Sequence, residues 1–374
     1  MKKNWIPIIV VIIIIIVIAV FYKPAPKGTI KIGIVADLSG KLSVYGNYLK
    51  NGLNLALEEI NSNGGIKGRK LEIIYEDGKS ETNEAVTATT KLINVDKVSV
   101  IIGFASSNAV LGAAPIAEKA KVILFTPMAS GADITNAGDY IFRNRESGTL
   151  HGEKMAGFVI NELGIKKAFI IAVNSENGLS YEAGFTKKFE ELKGEIVGAE
   201  HYTKGETDFR TILTKIKNSN SNAIYMAGYV SEMGEIVKQT KEFGINLPIF
   251  ASTGIEAKEF FDLVKPPLSD GIIYTYPAFD PNNPAIADYQ KQYEKNYGVK
   301  SEALAANSYD ALKIIALVLK SCGENTICIK EELYKIKDYP GVGGLTTFDQ
   351  NGDVIKPITF KTIKNGQFVP YENN

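Results

Sequence analysis

Two short polar segments, FASSN at residues 104–108 and TPMAS at residues 126–130, each follow a run of apolar residues. Both runs are short and apolar, the pattern of a buried parallel strand. The carboxyl ends of such strands form the edge where open α/β sheets bind ligands. Hydroxyls and free N–H groups gathered at a helix N-terminus suit a small carboxylate or phosphate. The two segments therefore predict a binding site for a small anionic group.

The serines in these segments also have a purely structural interpretation. Ser106, Ser107 and Ser130 could act only as caps and turn residues, because serine is a common helix cap. Two such turns on neighbouring strands favour a binding site, but the sequence alone leaves both interpretations open.

The sequence carries none of the signatures that mark common catalytic centres. It has no G-x-S-x-G, Walker loop, H-E-x-x-H or C-x-x-C motif. The Gly-rich segment at residues 64–68 follows a predicted helix and precedes a strand, the wrong order for a phosphate cradle. Two cysteines and the distant His151 and His201 do not make a zinc site. We therefore predict a binding protein without cofactor or metal.

Cys322 and Cys328 lie on either side of a Gly-Glu-Asn segment. Outside the cytoplasm such a pair can close a small disulfide loop, and two reduced thiols are the alternative.

The segments that must position these residues alternate between strand and helix. Strands are predicted at 29–35, 70–75, 98–102, 122–125, 167–173, 196–202, 223–227, 248–251, 272–276 and 359–363, and helices at 47–60, 84–93, 181–192, 208–217 and 231–243. This alternation predicts an α/β fold with two doubly wound parallel-sheet lobes and a boundary near residues 143–148. Surplus helices at 289–297 and 308–320 predict that the chain returns to the first lobe.

The charge of the chain gives no reason to expect a nucleic acid as partner. Its 374 residues include 42 basic and 42 acidic side chains, and these are not clustered. The length and the apolar content are sufficient for two domains with substantial cores.

An uninterrupted apolar run occupies residues 5–22 and follows two lysines. Its eighteen residues would span about 27 Å as a helix, close to the thickness of the bilayer core. The run has no good cleavage site, so we predict an uncleaved transmembrane anchor rather than a removed signal peptide. The N-terminus would be cytoplasmic and the rest of the chain extracytoplasmic, attached to the cell membrane through a tether at residues 23–28.

Several segments together resemble a known family. They are IKIGIVADLSGKLSVYG, EEINSNGGIKG, VIIGFASSNAV and FDQNGD. The sequence resembles the leucine–isoleucine–valine-binding proteins, which are type I periplasmic solute-binding proteins of branched-chain amino-acid ABC transporters. The resemblance extends from Thr29 to about Thr362.

This resemblance implies two lobes joined by a three-crossover hinge that closes on ligand. The first lobe would comprise residues 29–147 and about 279–340, and the second residues 148–278 and about 341–366. The protein would bind a small amino acid, with a branched-chain one as the first candidate, and deliver it to ABC permease and ATPase subunits.

The resemblance also implies particular ligand-binding residues. The two turns would hold the carboxylate and ammonium of the ligand, with Tyr229 on the opposite lobe and Tyr45 at the cleft mouth. Phe104 and Leu304 would line the side-chain pocket, although ordinary packing is the alternative for them and for Tyr45. The turn residues implied in this way are Ser106, Met128, Ala129 and Ser130.

Two positions depart from the family pattern. Thr253 stands where the family has an acidic residue that pairs with the ligand's ammonium, and Glu256, three residues later, could substitute. Asn177 stands where the family has a cleft tyrosine. Loss of an ionic partner for a buried ammonium costs several kcal/mol. Another amino acid, a non-amino carboxylate or an amide is therefore an alternative ligand.

Three other functions are less consistent with the sequence. A membrane-bound sensor would need an output domain in addition to the ligand-binding lobes. A DNA-binding repressor would need a basic helix-turn-helix at its N-terminus, where this sequence has the apolar run instead. An enzyme needs a nucleophile or metal centre, which the motifs do not supply.

Overall fold

The computed structural model of the protein describes residues 28–372, and the first five strands form one parallel sheet. These strands are β1 (Ile30–Ala36), β2 (Leu71–Asp77), β3 (Val100–Gly103), β4 (Ile123–Thr126) and β5 (Ile141–Arg143), in the order β2-β1-β3-β4-β5. Helices α1 (Ser43–Ser62), α2 (Thr82–Asn94) and α3 (Ser107–Ala120) connect them. Every pairing in this sheet is parallel, as the alternating pattern predicts.

A second sheet of seven strands follows. Its parallel strands are β6 (Lys167–Val173), β7 (Glu195–Tyr202), β8 (Ala223–Ala227), β9 (Ile249–Ala251) and β10 (Ile273–Pro277). The helices of this part are α4 (Gly148–Asn161), α5 (Glu176–Glu191), α6 (Arg210–Asn218), α7 (Val230–Glu242) and the short α8 (Phe260–Leu263). The predicted α/β fold with parallel sheets is therefore confirmed.

The chain then returns to the first sheet and crosses back again. Helices α9 (Ala287–Tyr297), α10 (Ala303–Cys322) and α11 (Thr326–Tyr334) follow β10, and α10 packs on α1. After the hairpin of β11 (Tyr339–Gly341) and β12 (Gly344–Thr346), strands β13 (Ile358–Lys364) and β14 (Gln367–Pro370) join the second sheet. The chain thus passes between the two lobes three times.

The structure differs from the sequence prediction in several places, and strand β5, helix α11 and the β11–β12 hairpin are among the elements that the sequence did not predict. Strands β13 and β14 add an antiparallel edge to the second sheet, whose other strands are parallel. Helix α4 was not predicted, because Gly152 and Gly157 weaken its helical pattern. Residues 348–353, assigned to the second lobe, contact the first: the ring of Phe348 packs on those of Phe125 and Phe142.

The predicted transmembrane anchor at residues 5–22 lies outside the described residues. Between Gly28 and Glu372, no helix is long and apolar enough to cross a membrane. Cys322 and Cys328 form a disulfide that links the end of α10 to α11.

The contact between α1 and α10 depends on a glycine. Leu49, Leu53 and Ile60 lie on the buried face of α1, as the sequence predicts. Gly52 lies on the same buried side, and a Cβ there would be 2.2 Å from the carbonyl oxygen of Ala305 in α10. The two helix backbones can approach this closely only because residue 52 has no side chain.

We expect Gly52→Ala to lower the free energy of unfolding by about 1–3 kcal/mol, because the added methyl group forces the helices apart. Gly157→Ala in α4 is the matched control, since its Cβ would meet no atom within 4 Å. The control should raise stability by about 0.5–1 kcal/mol through helix propensity. Urea unfolding of both variants checks this, and equal effects in the two would contradict the packing argument.

Candidate functional site

The carboxyl edges of the two sheets face each other across a cavity that is partly open to solvent. Loops after β3, β4 and β5 contribute from the first lobe, and loops after β6, β8 and β9 from the second. The lining residues are Tyr45, Ala105, Met128, Arg145, Asn177, Tyr181, Gly228, Tyr229, Thr253, Gly254, Glu256, Tyr276, Pro277, Ala303 and Leu304. Both lobes therefore contribute walls to one cavity.

Six of the ten predicted ligand-binding residues line this cavity, and the other four do not. Tyr45, Met128, Tyr229, Thr253, Glu256 and Leu304 line the cavity, whereas Phe104, Ser106, Ala129 and Ser130 do not. Phe104 is fully buried in the core under α3, because the chain turns inward there at a φ of 67°. Ala129 belongs to the same core.

The serines of the two turns have distinct surroundings. Ser106 precedes α3 but its side chain makes no capping hydrogen bond. The Ser107 hydroxyl accepts a hydrogen bond from the N–H of Gly131 at 3.0 Å, which fixes one turn against the other. The Ser130 hydroxyl accepts from the Asn177 side chain at 2.8 Å, across the lobes. The structural interpretation thus applies best to Ser107, and ligand binding by Ser106 and Ser130 stays a prediction.

Arg145 is the main cavity residue that sequence reasoning missed. Its guanidinium donates to the Met128 carbonyl oxygen, to the Tyr181 hydroxyl at 3.3 Å and to the Thr253 hydroxyl at 2.7 Å. The side chain thus links the first-lobe turn to the second lobe. A sequence signal existed: a basic residue stands just beyond a short apolar strand, at the edge where ligands bind.

Glu256, the predicted substitute for the family's acidic residue, is already engaged within its own lobe. Its carboxylate accepts from the Tyr274 hydroxyl at 2.5 Å and pairs with Lys361 of β13 at 2.5 Å. Burial raises the pKa of Glu256, and Lys361 opposes that rise. A ligand ammonium would have to compete with this lysine.

Glu302 is a second acidic residue beside the cavity. It caps α10 by accepting hydrogen bonds from the N–H groups of Leu304 and Ala305. Burial raises the pKa of Glu302 to about 8, although the two backbone bonds oppose the rise. Both of its carboxyl oxygens are thus committed to the start of α10.

Tyr45 connects the lobes at the cavity. Its hydroxyl accepts from the N–H of Val230 at 3.1 Å and donates to the carbonyl oxygen of Gly254 at 3.1 Å. Its ring also packs on that of Tyr229, with 5.9 Å between the centroids. Burial raises the pKa of both phenols, that of Tyr229 to about 12. Tyr45 and Tyr229 therefore stay protonated donors near neutral pH.

Two α/β lobes with one cavity between their sheet edges define a two-lobed solute-binding protein. A family model for periplasmic binding proteins matches residues 29–367. The chain belongs to this family, in its leucine/isoleucine/valine-binding type I group.

Characterised relatives cover almost the whole chain. The Leu/Ile/Val-binding protein homolog 3 of Brucella melitensis is 26% identical over 90% of this chain and 91% of its own. The Leu/Ile/Val-binding protein of Escherichia coli is 26% identical over 87% of this chain and 88% of its own. One similar solved structure is that of LivJ, the substrate-binding protein of a branched-chain amino acid transporter of Streptococcus pneumoniae, in complex with isoleucine. Its sequence is 34% identical, and the match covers 91% of this chain and 97% of that chain with a TM-score of 0.84.

We expect Tyr45→Phe to shift the ligand-free protein towards an open form, because it removes both hydrogen bonds that Tyr45 makes across the lobes. At about 0.5–1.5 kcal/mol for each of the two lost bonds, the ratio of open to closed molecules should rise about 5- to 150-fold. Small-angle scattering would show this as a larger radius of gyration.

Tyr75→Phe is the matched control for this measurement. The Tyr75 hydroxyl donates to Asn54 at 2.7 Å, within the first lobe. Its removal should leave the scattering curve unchanged. A curve for Tyr45→Phe that coincides with the control would contradict a bridging role.

Proposed function

We propose that this protein is the extracytoplasmic solute receptor of an ABC importer and that it binds a small amino acid, with a branched-chain one as the first candidate. The observation that carries the proposal is the single cavity walled by both lobes and bridged by Tyr45. A cavity between two lobes suits a small molecule that becomes largely buried on closure. The relatives named for leucine, isoleucine and valine support this ligand class.

A receptor is favoured over an enzyme by the side chains that line the cavity. Among the described lining residues there is no histidine, cysteine or serine. Its polar groups are instead phenols, an amide, a threonine, a glutamate already paired with lysine, and an arginine. These groups can orient a solute and then release it when the lobes open.

A second candidate is a receptor for another small carboxylate. Thr253 cannot neutralise an ammonium group, and the carboxylate of Glu256 is paired with Lys361. The cavity also contains the guanidinium of Arg145, which favours an anionic ligand group.

We also propose that residues 5–22 anchor the receptor in the cell membrane, with the N-terminus cytoplasmic and both lobes outside. The uninterrupted apolar run and the absence of a good cleavage site support this proposal. Tethering would keep the receptor close to the permease, to which it delivers its solute.

Calorimetric titration of the full-length protein against the twenty amino acids and simple carboxylates tests the ligand class. We expect saturable binding of leucine, isoleucine or valine, or of an acid with the same carbon skeleton. Absence of binding to every member of both sets would overturn the proposed function.

Cell fractionation followed by N-terminal sequencing tests the anchor. We expect the protein in the membrane fraction with residues 1–22 retained. A variant without residues 5–22, exported by a cleavable signal, is the control and should be released. A soluble mature form that starts after Tyr22 would show that the run is a signal peptide.

A further inference from the structure

We propose that Arg145, together with Thr253 and Tyr181, forms a carboxylate-binding subsite in the cavity, and that the solute is recognised through its carboxylate while an ammonium group is dispensable. The inference rests on the proposed receptor function and narrows its ligand class to small organic acids, of which amino acids are one kind.

The first argument is that the charge of Arg145 is buried and has no ionic partner. Its side chain is 6% exposed, and its Nε is buried without a hydrogen-bond acceptor. All three of its hydrogen bonds go to neutral oxygens, those of Met128, Tyr181 and Thr253. From Gly28 to Glu372, no carboxylate forms an ion pair with it. A buried cation of this kind is costly unless an anion joins it.

Arg143, two residues earlier, shows how this fold treats a buried arginine that is structural. Its guanidinium forms a bidentate ion pair with Asp353, at 2.9 Å and 2.5 Å. Its remaining N–H groups reach Gly131 and Thr135. Arg145 has no such carboxylate, and unlike Arg143 it lines the cavity. The two arginines therefore have different roles.

The acidic side chains near Arg145 are committed elsewhere. Glu256 is paired with Lys361, and both carboxyl oxygens of Glu302 accept hydrogen bonds from backbone N–H groups at the start of α10. Glu146, next in the chain, faces His151, with 3.9 Å between the closest oxygen and nitrogen. None of these three acidic side chains forms an ion pair with the guanidinium of Arg145.

Thr253 is the residue that leaves the positive charge of Arg145 available to a ligand. Its hydroxyl lies 2.7 Å from both the Arg145 guanidinium and the Tyr181 hydroxyl. An acidic side chain at residue 253 would lie within reach of the guanidinium and would pair with it. Threonine at this position instead adds a neutral hydroxyl, so no side chain at residue 253 neutralises the guanidinium before a ligand carboxylate arrives.

The rest of the cavity favours a small, mainly apolar acid. Leu304, Met128, Ala105 and Pro277 contribute apolar surface, and Asn177 has a buried side-chain oxygen without a hydrogen-bond partner. A short aliphatic chain would contact the apolar wall while its carboxylate reaches Arg145.

Three matched ligands separate the contribution of the ligand's carboxylate from that of its ammonium group. They are leucine, 4-methylpentanoate, which lacks only the amino group, and leucinamide, which has a neutral amide in place of the carboxylate. In calorimetric titrations of the full-length protein, we expect 4-methylpentanoate to bind within about tenfold of leucine or more tightly. Leucinamide should bind at least about 100-fold more weakly than leucine, because it cannot satisfy the guanidinium.

Variants then test the residues. Arg145→Gln should weaken 4-methylpentanoate binding roughly 10- to 150-fold, the range for a lost charge-assisted hydrogen bond. Arg69→Gln is the matched control, because Arg69 pairs with Glu324 outside the cavity. This variant should bind 4-methylpentanoate with the affinity of the unmodified protein. Thr253→Glu is the second variant. It supplies the missing carboxylate to Arg145, so it should remain folded and lose binding of the acid.

The outcomes distinguish this inference from the proposed function. If leucine binds, 4-methylpentanoate does not, and both Arg145→Gln and Thr253→Glu bind leucine normally, the carboxylate subsite is wrong and the amino-acid receptor stands. If neither leucine, nor 4-methylpentanoate, nor any other amino acid or simple carboxylate binds, the proposed function fails and the subsite with it.

Discussion

The buried ion pair between Arg143 and Asp353 is the interaction on which the arrangement of the lobes depends. It ties the end of β5, where the chain first leaves the first lobe, to the segment from which it finally crosses to β13. A buried pair repays its desolvation only when the remaining donors are also satisfied. Here the Gly131 carbonyl and the Thr135 hydroxyl accept those hydrogen bonds. The first and the last crossing therefore leave the first lobe at one fixed place.

Polar contacts then connect all three crossing segments. The Asn144 side chain donates to the Asn307 carbonyl oxygen at 2.9 Å, and the Lys356 ammonium donates to the Asn307 side chain at 3.1 Å. Burial lowers the pKa of Lys356, while Glu146 and Asp310 oppose that change. Each crossing is therefore tied to the others by hydrogen bonds. The cavity lies beside these crossings, and Tyr45 joins its two walls.

The alternation of strands and helices was readable from the sequence because each buried strand is a short apolar run. The two lobes and the return of the chain were predicted for this reason. Helix α4 was missed because its glycines weaken the helical pattern of the segment. The antiparallel edge was missed because the direction of a strand depends on pairing partners far along the chain. At the site, the resemblance led to Tyr229, Thr253 and Leu304, which do line the cavity. It also led to Phe104, which the inward turn of the backbone buries in the core.

The sequence by itself determined the α/β class, the family and the replacement of an expected acidic residue by Thr253, since these are local patterns of residue type and spacing. Only the tertiary structure decided that Arg145 lies beside Thr253, although 108 positions separate the two residues. It also decided that Glu256 is paired with Lys361 and that Asp353 pairs with Arg143 rather than Arg145. The physical reason is that the availability of a charge depends on which opposite charge the fold places next to it, and a linear sequence does not contain those distances.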